Sequence, residues 1–123
     1  MPRNRILFVN DDLDFVKALS PILKARNYSV SAASGGEEGL EKARRERPDL
    51  ILLETKMPDI DGFAVCSRLR ADRITKGIPV IMVSDNGGSE SVMKARTCGA
   101  NDYIVKPVNL VTLLSKLRKF LVR

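Results

Sequence analysis

The sequence contains no histidine, no tryptophan and only two cysteines, Cys66 and Cys98, among its 123 residues. Without histidine there is no imidazole for acid–base work or metal ligation, and with no CxxC spacing a zinc site is excluded. Each cysteine falls in an amphipathic stretch, where a small buried thiol is the ordinary reading. No apolar run approaches the ~20 residues that cross a bilayer. The first apolar run, after Arg5, stops at Asn10, too soon for a signal peptide. The turn that follows lacks the glycines of a nucleotide-binding loop. The expectation is a cytoplasmic chain with no membrane association.

What is present is an ordinary globular composition, 44% apolar and 29% charged. The length suits one domain over residues 1–123. A chain of this size buries roughly two-thirds of its unfolded surface and needs no metal or disulfide staple. The net charge of +6 comes from cations spread along the chain. Arg44, Arg45 and Arg47 come nearest to a cluster, and the last helix adds Lys116, Arg118, Lys119 and Arg123. A solvated basic surface is the first reading, an acidic protein partner the second and nucleic acid the third.

Apolar periodicity alternates strand and helix five times. Ile6, Leu7, Phe8 and Val9 form a short buried strand that stops at Asn10, Asp11 and Asp12. Over residues 13–26, Phe15, Val16, Leu19, Ile22 and Leu23 recur at helical spacing, and Pro21 should bend that helix. Residues 28–33 read as a second strand, and Ser34, Gly35 and Gly36 break the chain before a charged helix over residues 37–47. Leu50 to Leu53 is the surest strand, followed by a loop over residues 55–62 and a helix over residues 63–71. Residues 80–83 give a fourth strand and residues 89–98 a weak helix, with Gly99 placed to cap it. Residues 103–105 give a fifth strand, and Asn109 caps a last helix reaching about Leu121. Strands apolar on both faces and joined by helices form an α/β fold, a parallel sheet covered on both sides with right-handed crossovers. Such a sheet binds ligands at the carboxyl ends of its strands.

Those ends carry chemistry. Asn10, Asp11 and Asp12 follow the first strand, Glu54 ends the third, Ser84 follows the fourth, and Lys106 with Pro107 follows the fifth. Clustered carboxylates attract a hard cation such as Mg²⁺. A carboxylate can also accept a phosphoryl group, with a hydroxyl and an ammonium neutralising its oxygens. Each residue has a plainer reading. Asp12 could cap the following helix, Ser84 could be a turn residue and Lys106 a surface charge. Glu54 at the end of a buried strand needs a partner in any case.

The stretch from Pro48 through Glu54 to Asp61 and Gly62 resembles the phosphorylation segment of bacterial response regulator receiver domains. Residues 79–84 and 99–107 are similar to two further stretches of that family, and the likeness covers essentially the whole chain. The resemblance implies a doubly wound, flavodoxin-like five-stranded parallel sheet in the order 2-1-3-4-5, with helices on both faces. It implies a signalling domain, not an enzyme in its own right, that takes a phosphoryl group from a histidine kinase or phosphotransfer protein. By position, Asp11, Glu54 and the backbone carbonyl of Lys56 would be metal ligands. Ser84 would be the switch hydroxyl, Tyr103 the switch aromatic and Lys106 the phosphate partner, with a cis peptide at Pro107. An output domain, a downstream protein or a second copy would dock on the face of the fourth helix, fifth strand and fifth helix, made basic by Lys94, Arg96, Lys116 and Lys119. Direct nucleic-acid binding is not favoured.

Two positions depart from that pattern. The phosphoacceptor position, an aspartate in the family, is Glu54, and the acid usually found before Asp11 is Asn10. A shift of about 1 Å can cost on the order of a hundredfold in rate where alignment carries catalysis. Losing one negative charge weakens divalent binding, so Mg²⁺ is expected to bind weakly. The expectation is an atypical receiver with impaired phosphorylation, in which Glu54 either partly imitates the phosphorylated state or forms a bare salt bridge with Lys106. The alternatives are an ordinary Mg²⁺-dependent receiver, a basic docking module and, more remotely, a small aspartate-nucleophile phosphatase suggested by Asp12 and Asp14.

Overall fold

The structure, a computed structural model, describes residues 4–121. In chain order it runs β1 (Arg5–Val9), α1 (Leu13–Ala25), β2 (Ser29–Ala33), α2 (Gly36–Glu46), β3 (Leu50–Glu54), α3 (Gly62–Ala71), β4 (Val80–Ser84), α4 (Ser89–Thr97), β5 (Asp102–Val105) and α5 (Leu110–Leu121). The five strands form one sheet in the order β2-β1-β3-β4-β5, with every neighbouring pair parallel. This is the parallel sheet that the alternation of strands and helices called for, in the doubly wound order that the family resemblance implied.

The unbroken apolar runs of β1, β3 and β4 exist because each strand feeds two cores. Successive side chains point to opposite faces of a sheet. Ile6, Phe8, Leu50, Leu52, Ile81 and Val83 therefore pack beneath α1 and α5, against Val16, Leu23, Leu113 and Leu117. Their neighbours Leu7, Val9, Ile51, Leu53, Val80 and Met82 pack against α2, α3 and α4, meeting Ala43, Val65, Cys66, Leu69 and Ala95. Burying one such side chain contributes about 1.5–3 kcal/mol, and both faces of the three inner strands contribute. The edge strand β2 is only half-buried, which explains its weaker apolar pattern.

Pro21 sits inside α1 without ending it. The helix α4 is the thinnest element, burying only Ala95 and starting at Gly88 without a side-chain cap. It ends at Cys98, and Gly99 follows at a φ of +96°, a conformation that glycine adopts without steric cost. No described helix is long and apolar enough to cross a membrane.

Candidate functional site

Strands β3 and β4 each run one residue beyond the apolar stretch, so Glu54 and Ser84 are strand residues rather than loop residues. Register puts Glu54 beside Val83 and Ser84 beside Val105. That pairing holds their backbones at the rim of the sheet and fixes where their side chains leave it.

Glu54 is 4% exposed. A carboxylate so placed needs an opposite charge. Lys106, the first residue after β5, brings its Nζ to 2.6 Å from Glu54 Oε1. The approach is close but off the line of a hydrogen bond. Among the described residues Oε1 is the one buried side-chain polar atom without a hydrogen-bonding partner. The two form a close ion pair. Partial burial pulls the Lys106 ammonium pKa down, but Glu54, Asp85 and Asp12 outweigh it and hold the pKa above the usual lysine value. The ammonium also lies 5.0 Å from the centre of the Phe15 ring, where the π face adds to its stabilisation. The peptide between Lys106 and Pro107 is cis.

Ser84 is 2% exposed, and its hydroxyl oxygen accepts from the Thr55 hydroxyl at 2.9 Å and from the Asn86 N–H at 3.0 Å. Its carbonyl accepts from the Lys106 N–H at 2.8 Å. The Tyr103 hydroxyl donates to the Asn86 carbonyl. Ser84, Asn86 and Tyr103 thus tie the loop between β4 and α4 to the end of β5.

On the other side of Glu54, Asn10 is 2% exposed and its Oδ1 accepts the Asp12 N–H at 2.9 Å. Asp12 is the N-cap of α1, accepting from the N–H groups of Asp14 and Phe15. Asp11 is exposed and makes no ion pair or side-chain hydrogen bond among the described residues. The loop leaving β3 returns at Gly62, whose N–H donates to the Thr55 carbonyl at 2.8 Å. A Cβ at Gly62 would lie 2.1 Å from the Glu54 carbonyl oxygen, so only glycine permits that return. Lys56, just inside the loop, is exposed.

The structure therefore joins Glu54 to Lys106 directly, sets Ser84 and Tyr103 in an adjoining hydrogen-bonded chain, and leaves Asp11 free at the surface. Four residues that sequence reasoning had not singled out complete the picture. Thr55 orients Ser84, Phe15 backs Lys106, and Asp85 adds charge near it. Asp59 accepts the N–H groups of Gly36 and Glu37, each at 2.9 Å, and so caps α2 from a different segment. Those bonds draw the Asp59 carboxyl down to about 2 from an ordinary 3.8.

The expected basic face is less free than composition suggests. Lys116 is paired to Asp102 at 2.8 Å, Lys94 lies over the Phe63 ring and Lys119 over the Phe120 ring. Apolar Met93, Val105 and Val111 are exposed on α4, β5 and α5.

Comparison with known proteins is consistent with this geometry. The family model for the response regulator receiver domain matches residues 6–118. The response regulator PleD of Caulobacter vibrioides is 39% identical over 114 residues, which cover 93% of this chain and 25% of PleD. The chain spans about half the length of DNA-binding regulators that it also matches. Among solved structures, a receiver domain protein of Methanospirillum hungatei is 34% identical with a TM-score of 0.89, covering 96% of this chain and 93% of that one. The receiver domain of the sensor histidine kinase PA1611 of Pseudomonas aeruginosa is 25% identical with a TM-score of 0.89, covering 98% of each chain. That structure holds a magnesium ion in its active site cleft.

Proposed function

The chain belongs to the response regulator receiver domain family, and on that premise we propose that it relays signals by protein contact without the ordinary phosphorylation cycle. The observation that carries this reading is the buried Glu54 carboxylate facing the Lys106 ammonium at 2.6 Å. The position where the family carries its phosphoacceptor aspartate holds a longer acid already neutralised by the cation that would otherwise meet phosphate. An incoming phosphodonor has to displace that ammonium and accept a carboxylate one methylene out of place. One carboxylate carries one charge where a phosphorylated side chain carries about two, so Glu54 imitates the phosphorylated state only in part.

The donor set does not fit a tight divalent site. Asn10 is neutral and its Oδ1 is engaged by Asp12, and Glu54 is turned to Lys106. Among the described residues no three acids or cysteines gather at metal-holding distances. Mg²⁺ binding through Asp11, Glu54 and the Lys56 carbonyl is accordingly weak, and no step of the proposed function depends on it.

The partners of this reading are a histidine kinase or phosphotransfer protein upstream and an output domain or second protein downstream. The exposed Met93, Val105 and Val111 on the face of α4, β5 and α5 suit such a protein contact better than they suit nucleic acid. Self-association through the same face is the homodimeric version.

The test is treatment with a small phosphodonor and Mg²⁺, followed by intact mass. The expected result is no stable phosphoryl gain on the parent and a measurable gain on Glu54→Asp, larger when Asn10→Asp is added. A stable adduct mapped to Glu54 would overturn the proposal.

A further inference from the structure

We propose that Cys66 and Cys98 form a reversible oxidation site, closing a disulfide between α3 and the end of α4 in the presence of a peroxide. The two cysteines stand 32 positions apart in sequence and take no part in the rim that carries Glu54 and Lys106. Cys66 is fully buried on α3, and its Sγ donates to the Cys98 carbonyl at 3.3 Å. Cys98 is the half-buried C-cap of α4, with its own Sγ donating to the Ala95 carbonyl at 3.1 Å. One turn further along α3, Arg70 Nε donates to the Gly99 carbonyl at 2.9 Å. Residues four apart share a helix face. The same face of α3 therefore grips two consecutive residues of the α4–β5 turn and holds the Cys66 side chain against Cys98.

The two thiols differ in a way that orders the chemistry. Burial pushes the Cys66 thiol up to about 12, and the Cys98 side chain beside it adds to the rise. Cys98 is the partner that solvent reaches, so it meets the oxidant first. Its thiolate attacks one peroxide oxygen, the O–O bond breaks, hydroxide leaves, and a sulfenic acid remains. The Cys66 sulfur then attacks the sulfenic sulfur. The S–S bond forms, and the sulfenic hydroxyl leaves with the Cys66 proton as water. Two thiols lose two electrons in all, and the peroxide is reduced to water. A dithiol reductant reverses the bond. The link would fasten the C-terminal end of α4, whose N-terminal loop carries the Asn86 contact to Tyr103.

Hydrogen peroxide treatment of the folded chain, followed by alkylation and peptide mapping, tests the proposal. The expected outcome is loss of both alkylatable thiols, one linked peptide pair joining Cys66 to Cys98, a monomeric mass and full recovery with dithiothreitol. The melting temperature should rise, since the bond closes a long loop in the unfolded chain. Sulfinic acid at Cys98 with Cys66 still alkylatable would overturn it, as would a link only between two copies. Cys66→Ser risks the buried core, so Cys98→Ser serves as the second variant. In it Cys66 should resist peroxide, and oxidation of Cys66 at the parent rate also sinks the idea.

Discussion

Glu54 ends β3 and Asp59 lies in the loop that leaves it, and the two are stabilised in opposite ways. Glu54 is buried and depends on a single ammonium 2.6 Å away, with Oε1 lacking any hydrogen bond. Asp59 is open to solvent and rests on two backbone N–H groups at the start of α2. In the interior a lone charge pair is strong because little water screens it, and for the same reason nothing replaces a lost partner. At the surface, directed hydrogen bonds and the positive end of a helix do the holding, and water is always available as a substitute. One carboxylate is therefore powerful and fragile, the other modest and robust.

The largest effect should come from removing the single partner. Lys106→Met leaves the Glu54 charge buried and unpaired, at a cost of about 3 kcal/mol, the low end for a broken buried pair because the lysine keeps some solvent access. Urea unfolding at neutral pH measures it, and adding Glu54→Gln should recover most of the loss. A parent-like midpoint for Lys106→Met alone would erase the distinction between the two carboxylates. The raised pKa of Lys106 also sets a direction in pH. The pair's contribution is complete below the ordinary lysine value of 10.5 and fades as pH climbs through the higher folded value. The parent should lose stability there faster than the variant does.

Gly62→Ala should follow in size. Its Cβ would fall 2.1 Å from the Glu54 carbonyl oxygen, so the backbone linking the two carboxylates has to move. A cost of about 2 kcal/mol is expected, read from the same urea curves. An unchanged midpoint would mean that the loop is slack and that the two carboxylates do not constrain each other.

How much of this could be read beforehand follows the same division. Strands β1, β3 and β4 were legible because both faces of each are buried, so the run of apolar residues is its own signal. Glu54 and Lys106 were legible because a polar residue ending such a run has few places to go. Asp59 was not. It lies 23 positions from Gly36, and both segments read locally as turn residues with nothing to pair them. Phe15 looked like core, and only the fold puts its ring under the ammonium. Lys116 counted as a free cation until α5 packed it beside Asp102, because composition registers charge and not its neighbours.

The smallest effect tests the robust half of the pair. Asp59→Asn keeps the side-chain shape and an acceptor oxygen but loses the negative charge at the start of α2. With a folded pKa near 2 against an ordinary 3.8, the Asp59 contribution is whole above pH 3.8 and fades as the pH falls toward 2. Parent and variant should differ slightly in melting temperature at pH 7 and converge near pH 2. Asp72 and Glu38 are also held below their ordinary values, so the parent's acid limb alone mixes three carboxylates. The difference between the two proteins isolates one. If that difference stayed constant down to pH 2, the cap would be acting through shape rather than charge. Asp59 would then differ from Glu54 in kind and not only in degree.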